Sequence, residues 1–215
     1  MLIELVTHTA HPGQLEGFLR IAGEALRPLQ AQAGARLLAV TTGATGKLNE
    51  CIVAWGYESQ VAHAQALDRL AADVAWARAR ARAGATLLRE HVQLVRTTSF
   101  SDVALPPAGT RVIDLRTYSF RPEGLQEFLP ACEAHGLPRQ RIHCGHLVFH
   151  GVSASGRLHQ LVQAWAYPDH EAYDKGQKAL FQDEQWRQGY RAPVLGLVQE
   201  QEHQLLRTLP GSPSA

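Results

Sequence analysis

The 215-residue chain carries 21 Lys and Arg against 20 Asp and Glu, and 45% of its residues are hydrophobic. A net charge of +1 leaves no electrostatic footprint for nucleic acid or an anionic membrane surface. No apolar run reaches the roughly 20 residues that cross a bilayer as a helix, and Cys51, Cys132 and Cys144 lack the spacing of a disulfide framework. An odd trio of that kind points to reduced thiols and a cytoplasmic protein.

The opening "MLIELV" reads as a strand, without the charged and apolar regions of a signal peptide. "TTGATGK" (41–47) is glycine-rich but precedes no helix, so it reads as a hairpin turn. "CIVAWGYESQVAHAQA" (51–66) follows as a strand rich in aromatic residues. "RARARA" (78–83) alternates Arg with Ala and reads as a helix with a wet face. "SFSDVALPPAGT" (99–110), rich in Pro, Gly and Ser, is a linker. The chain then repeats itself. Shifted by 110 residues, Ile3, Leu5 and Thr7 fall on Ile113, Leu115 and Thr117, and Pro12, Phe18 and Leu19 on Pro122, Phe128 and Leu129. Ala54, Trp55 and Tyr57 meet Ala164, Trp165 and Tyr167; Asp73 and Trp76 meet Asp183 and Trp186. Two Trp matches in register mark a tandem duplication. The expected domains are 1–98 and 111–209, with 210–215 a disordered tail.

Within the second copy, "VIDLRTYSF" (112–120) alternates as a strand, and "PEGLQEFLPACEAHG" has helical spacing at Leu125, Phe128 and Leu129. "HLVFHGVS" and "LHQLVQAWAY" make a hairpin around Gly156. "DHEAYDKGQKALFQDEQWRQGYRAP" is mainly helical with Asp169 as N-cap, and "VLGLVQEQEHQLLRTL" supplies a last strand. The order β-α-β-β-α-β is ferredoxin-like. The fold class expected is therefore α+β: two tandem βαββαβ domains forming an α/β-barrel, closed within the chain or across a dimer, with helices outside.

Strand alternation groups Asp114, Arg116, Tyr118 and Phe120 on one face, His146, Val148 and His150 on another, and His159, Leu161, Gln163, Trp165 and Tyr167 on a third. These mixed aromatic and polar faces are expected toward the barrel interior, and the smaller apolar faces toward the helices. A concave apolar space with convergent polar groups is where a ligand binds. Arg116, Tyr118, Gln163, Trp165 and Tyr167 are the expected substrate-binding residues; His146, His150 and Tyr118 are the proton-transfer candidates. Repeat 1 has Val6, His8 and Arg36 where repeat 2 has Arg116, Tyr118 and His146, so its polar inventory is read as thinner. Trp76 and Trp186 are read as structural anchors between helix and sheet. Glu90 and Glu200 recur near the start of the last strand of each repeat, with a solvated or capping role as the alternative to catalysis.

Metal and cofactor chemistry find little support. His143, Cys144 and His146 are adjacent, but His143 and His146 point to different faces of an extended segment, and no H-E-x-x-H, phosphate loop or dinucleotide fingerprint occurs. No metal and no cofactor are expected.

"IDLRTYSFRPEGLQEFL", "GRLHQLVQAWAYPDHEAYD", "DEQW" and "LLRTL" together resemble the NIPSNAP domain, whose pattern is a first strand like L-R-T-Y-x-x-x-P-G, a third like H-x-W-x-Y, and a late D-x-x-W. Repeat 1 matches more weakly through "IELVTHTAHPGQLEGFL", "IVAWGYES" and "DVAW". The resemblance implies a member of the dimeric α/β-barrel superfamily and a homodimer or higher homo-oligomer. It departs from the family at Gln163, where members often carry His. The superfamily includes small-molecule monooxygenases and haem-degrading enzymes, which is analogy by fold. The expected function is binding or transforming a small, partly apolar molecule, by cofactor-independent proton transfer or oxygenation if there is chemistry. In that reading Arg116 holds an anionic group and Trp165 and Tyr167 form the apolar wall. The rival is a structural or interaction module with a filled barrel interior.

Overall fold

The computed structural model describes residues 1–44 and 46–215. Its eight strands are ordered as a closed barrel, the α/β-barrel class expected from the repeat. It resolves into two compact units: residues 1–96 with 207–213, and residues 97–206 with 214–215.

Unit 1 runs β1 (Leu2–Ala10), α1 (Leu15–Ile21), α2 (Arg27–Gln32), β2 (Arg36–Gly43), β3 (Glu50–Tyr57), α3 (Gln60–Ala71), α4 (Val74–Gly84) and β4 (Leu87–Thr97). Strand β1 lies antiparallel between β3 and β4, and β2 flanks β3, giving the ferredoxin-like order β4-β1-β3-β2. Unit 2 repeats it with β5 (Val112–Phe120), α5 (Gly124–Ala131), α6 (Leu137–His143), β6 (His146–Ser153), β7 (Gln160–Tyr167), α7 (His170–Gln182), α8 (Ala192–Val194) and β8 (Val198–Thr208). Its order is β8-β5-β7-β6.

The caps explain the recurring sequence marks. Ser59 and Asp169 cap α3 and α7, accepting from the Ala62 and Ala172 amides at 3.0 and 2.8 Å. The D-x-x-W pattern is a cap as well: Asp73 accepts from Trp76 N at 3.2 Å and Asp183 from Trp186 N at 2.9 Å, which fixes where each indole leaves its helix. Asp183 also takes Arg139 and, at 2.7 Å, His143 Nε2. The hairpin turn at 41–47 includes Thr45, which lies outside the described residues; Gly46 and its counterpart Gly156 both have positive φ, +85° and +73°, a conformation glycine adopts without strain.

A five-residue π-helical turn joins α1 to α2 (Ala22–Leu26), and another joins α5 to α6 (Cys132–Gly136). Pro28 and Pro138 sit just beyond them. Proline has no N–H to give the carbonyl four residues back, so the turn before it is free to widen. The segment 210–215, expected as a tail, is hydrogen-bonded: Ser212 Oγ accepts from Val40 N at 3.1 Å, and Ala215 N donates to Pro106 O at 2.8 Å.

One expectation is overturned in both units. The faces rich in aromatic and polar groups lie under the helices. Leu161, Trp165 and Tyr167 pack with Phe128, Cys132, Trp186 and Tyr190 from the helical layer, and Val53, Trp55 and Tyr57 pack with Phe18, Leu26 and Leu70. The physical reason is volume: sheet and helices stand roughly 10 Å apart, a gap that large side chains from both layers must fill to reach interior density. Val162, Ala164 and Ala166, all buried, occupy the opposite face of β7.

A second correction concerns β6. Its pairing with β7 slips between Leu147 and Phe149, so Leu147 faces Trp165 and His150 faces Gln163, while His146 pairs with Ala166. The bulge puts His146 and His150 on opposite faces. Strand β2 carries the same slip between Leu37 and Ala39.

Candidate functional site

Cross-strand neighbours share a face, and two rows of unit 2 face its helices. One is Arg116–Gln163–His150 and the other Asp114–Trp165–Leu147. Between this face and the helices lies a cavity of about 120 Å³. Arg116, Tyr118, Leu161 and Gln163 form its floor. Phe128, Cys132, Gln140, Leu180, Trp186 and Tyr190 form its roof, and the exposed Phe181, Arg191, Leu195 and Gln201 form the end that meets solvent. Such a volume holds a molecule of about benzene size, below the roughly 300–1,000 Å³ of typical drug-sized sites.

Arg116, Tyr118 and Gln163 therefore come together as the sequence predicts. Trp165 and Tyr167 lie beside the cavity and outside its lining. Trp165 is fully buried and donates its indole N–H to Gln163 Oε1 at 2.9 Å. The Tyr167 hydroxyl accepts from Gln177 Nε2 at 3.3 Å, and its ring meets Tyr173 edge-on at 5.4 Å. His146 is exposed at the start of β6. His150 is fully buried, with Nδ1 3.0 Å from Thr98 Oγ1 and Nε2 3.6 Å from Cys132 Sγ. Burial, with a smaller contribution from Arg141, lowers its pKa to about 4, so near neutral pH it is an uncharged imidazole.

Arg116 does not wait for an anion. Its Nε and Nη2 reach Asp114 Oδ2 at 2.7 and 2.6 Å, and both side chains are buried, so its charge is compensated inside the protein. The Tyr118 hydroxyl hydrogen-bonds with Arg116 and Gln163, and burial raises its pKa, which keeps it a protonated, neutral group. Burial also pushes the Cys132 thiol up to about 11 and the Cys51 thiol up to about 12; neither supplies a thiolate near neutral pH.

The sequence reads Trp186 as an anchor between helix and sheet and misses its place in the cavity. Its ring roofs the cavity, and its Nε1 is buried with no hydrogen-bond partner. Arg191 lies 6.0 Å over the same ring. Gly136 was missed as well: a Cβ there would stand 2.3 Å from the Tyr190 ring, so the bare backbone makes room for a roof residue. The recurring D-x-x-W cap was the available signal for Trp186, since it fixes the indole over the same place in each copy.

Repeat 1 is not poorer in polar groups. Glu4 aligns with Asp114 and is buried; it accepts from Tyr57 Oη at 3.1 Å and Gln30 Nε2 at 3.2 Å, with His63 Nε2 at 3.4 Å. His63 takes the place of Tyr173 against Tyr57, edge-on at 4.7 Å. The reading of β1 and β3 alone could not see groups that arrive from α2 and α3.

A two-unit α/β-barrel with a cavity between sheet and helices is the class of protein that this geometry defines. The NIPSNAP family model matches residues 3–102 and again 113–213, and the chain belongs to that family. NipSnap homolog 2 of Danio rerio is 25% identical over 218 residues, covering 99% of this chain and 74% of that protein. Human NipSnap homolog 3A is 26% identical over 97 residues, 45% of this chain and 39% of its own length, so the chain matches about two fifths of that relative. A candidate monooxygenase from Lactobacillus acidophilus NCFM shares the fold, with a TM-score of 0.68 at 12% identity over 96% of this chain and 93% of that one. Among the described residues, no helix is long and apolar enough to cross a membrane.

Proposed function

We propose that unit 2 binds a small, mostly apolar molecule carrying a hydrogen-bond-accepting oxygen, in the cavity between β5, β7 and the helices. The observation that carries this reading is the Trp186 indole N–H, buried in the cavity wall with no acceptor. Buried polar groups are almost always bonded, and an incoming carbonyl or hydroxyl oxygen would satisfy this one. Phe128, Leu161, Leu180 and Tyr190 supply the apolar contact, and Tyr118 and Gln163 offer polar atoms from the floor. Because Asp114 compensates Arg116, the ligand is neutral and Arg116 acts as a hydrogen-bonding group.

The fold shared with a candidate monooxygenase supports cofactor-independent oxygenation or proton transfer as the chemistry to look for. The same reading places the protein in the cytoplasm, as a homodimer or higher homo-oligomer; its free cysteines support the compartment. The test is a thermal-shift screen of small phenols, aryl ketones and quinones, followed by oxygen-uptake measurements on the hits. Wild type gains stability with at least one class, and Trp186→Phe and Leu161→Trp, which remove the donor and fill the cavity, each abolish the shift. A screen without hits, or hits indifferent to both substitutions, favours the structural or interaction module instead.

A further inference from the structure

We infer that repeat 1 holds a second ligand site, chemically unlike that of repeat 2, which takes a small carboxylic acid with an apolar body and seats its carboxylate on Arg27. It occupies the place equivalent to the cavity of unit 2, between the sheet of unit 1 and its helices, and at about 210 Å³ it is the larger of the two. Val6, Phe18, Val53, Trp55, Leu70 and Trp76 give it an apolar wall that would hold a ring or a short alkyl chain.

Its charged lining is unevenly satisfied. Glu4 is held by Tyr57, Gln30 and His63 as described above. Glu90 accepts from Arg80 Nη1 at 2.8 Å and from Nη2, and stands 2.8 Å from His8 Nδ1. Those hydrogen bonds, from Arg80 first, hold the Glu90 carboxyl at about 2, so it stays ionised and cancels Arg80. Both carboxylates of the lining are thus engaged. Arg27 also lines the cavity, and its Nη1 is buried with no hydrogen-bond partner. Burial holds its pKa below the usual arginine value, and the group whose field it feels is the Cys51 thiol, not a carboxylate.

The guanidinium is seated rather than loose. A Cβ on Gly23 would stand 2.5 Å from its Nη2, and one on Gly211 3.2 Å from its Nη1, so two bare stretches of backbone make the notch it occupies. A planar, permanently charged fork in such a notch matches the geometry of a carboxylate. Unit 2 has Leu137 at the position of Arg27, so the two cavities share a place in the fold and differ in the ligand each accepts.

Benzoate is the probe, with benzamide as its neutral counterpart, and the chain's four Trp indole N–H signals are the NMR readout, assigned by single Trp→Phe variants. Millimolar benzoate is expected to shift the Trp55 and Trp76 signals, and benzamide to shift them less. Arg27→Met is expected to weaken the benzoate response about tenfold or more. Ala22→Leu, which adds bulk to the cavity wall and leaves the arginine in place, is expected to do the same, and it serves as the independent check if Arg27→Met does not fold. Benzoate that moves neither Trp55 nor Trp76, or an unchanged response in a folded variant of either kind, overturns the proposal. The screen on unit 2 can succeed or fail independently, because its variants lie in the other cavity.

Discussion

The two cavities of this chain occupy the same place in two units of the same family and hold their buried acid in opposite ways. In unit 1, Glu4 is bonded to neutral or weakly basic groups, Tyr57, Gln30 and His63, which reach it from β3, α2 and α3. In unit 2, Asp114 is bonded to a full positive charge two residues away on its own strand. Tyr57 and Tyr167 persist in both copies, as do Gln30 and Gln140. Val6 against Arg116 makes the difference. A duplicated scaffold thus keeps its apolar packing and its buried acid, and varies what neutralises the acid. That choice decides whether an arginine facing the cavity is left over for a ligand: Arg27 is, and Arg116 is not.

Substitutions that attack the acid should separate the copies most. Asp114→Leu strands Arg116 in a buried site and is expected to cost about 3–5 kcal/mol in urea unfolding. Glu4→Gln keeps the shape and part of the bonding of its partners and should cost about 1–3 kcal/mol. Equal losses would mean that the ion pair is no more than a hydrogen bond.

The copies should also differ in acid. His150 is buried and neutral where unit 1 has Val40. Its pKa is depressed on folding, so the unfolded chain binds its proton first. Stability falls as pH drops from about 6.5 toward about 4, at up to about 1.4 kcal/mol per pH unit. His150→Val, which copies unit 1, should flatten that window and leave the loss below pH 4, where Glu90 titrates toward about 2. A wild-type curve already flat between pH 6.5 and 4 would refute the assignment.

Removing the cap in each copy should have a smaller effect. Asp73→Ala loses an N-cap worth about 1 kcal/mol, and Asp183→Ala should cost more, since Arg139 and His143 lose their partner too. Thermal melts that rank them the other way would show that the ion cluster adds nothing. Smallest of all, Arg157→Ala removes an exposed pair with Glu200 and should leave the melting temperature unchanged within error.

The duplication, the strand order and the identity of the buried aromatics were legible in the sequence, because alternation and a fixed offset are local properties. Which face of the sheet met the helices was not. Both faces are apolar enough to be buried, and the decision rests on volumes supplied by distant residues such as Phe128 and Trp186. The bulges were also invisible: one extra residue in β6 reverses the phase of alternation, so His146 and His150 cannot be assigned to a common side by counting. Of the candidate site, Arg116, Tyr118 and Gln163 could be found because they alternate on two unbroken strands. Trp186, Gln140 and Arg27 come from helices, and no strand pattern points to them.

The π-helical turns before Pro28 and Pro138 make the length of these helices matter unevenly. A π-turn holds one extra residue within a wider turn, so losing one residue from Ala22–Leu26 would restore an ordinary helix and leave Arg27 and Gln30 facing the cavity. One residue lost from the regular turns of α1 would instead turn everything beyond it by about 100° around the axis. The chemistry of each copy is therefore encoded partly in length, and the π-turn is the place where that length can change without moving the side chains.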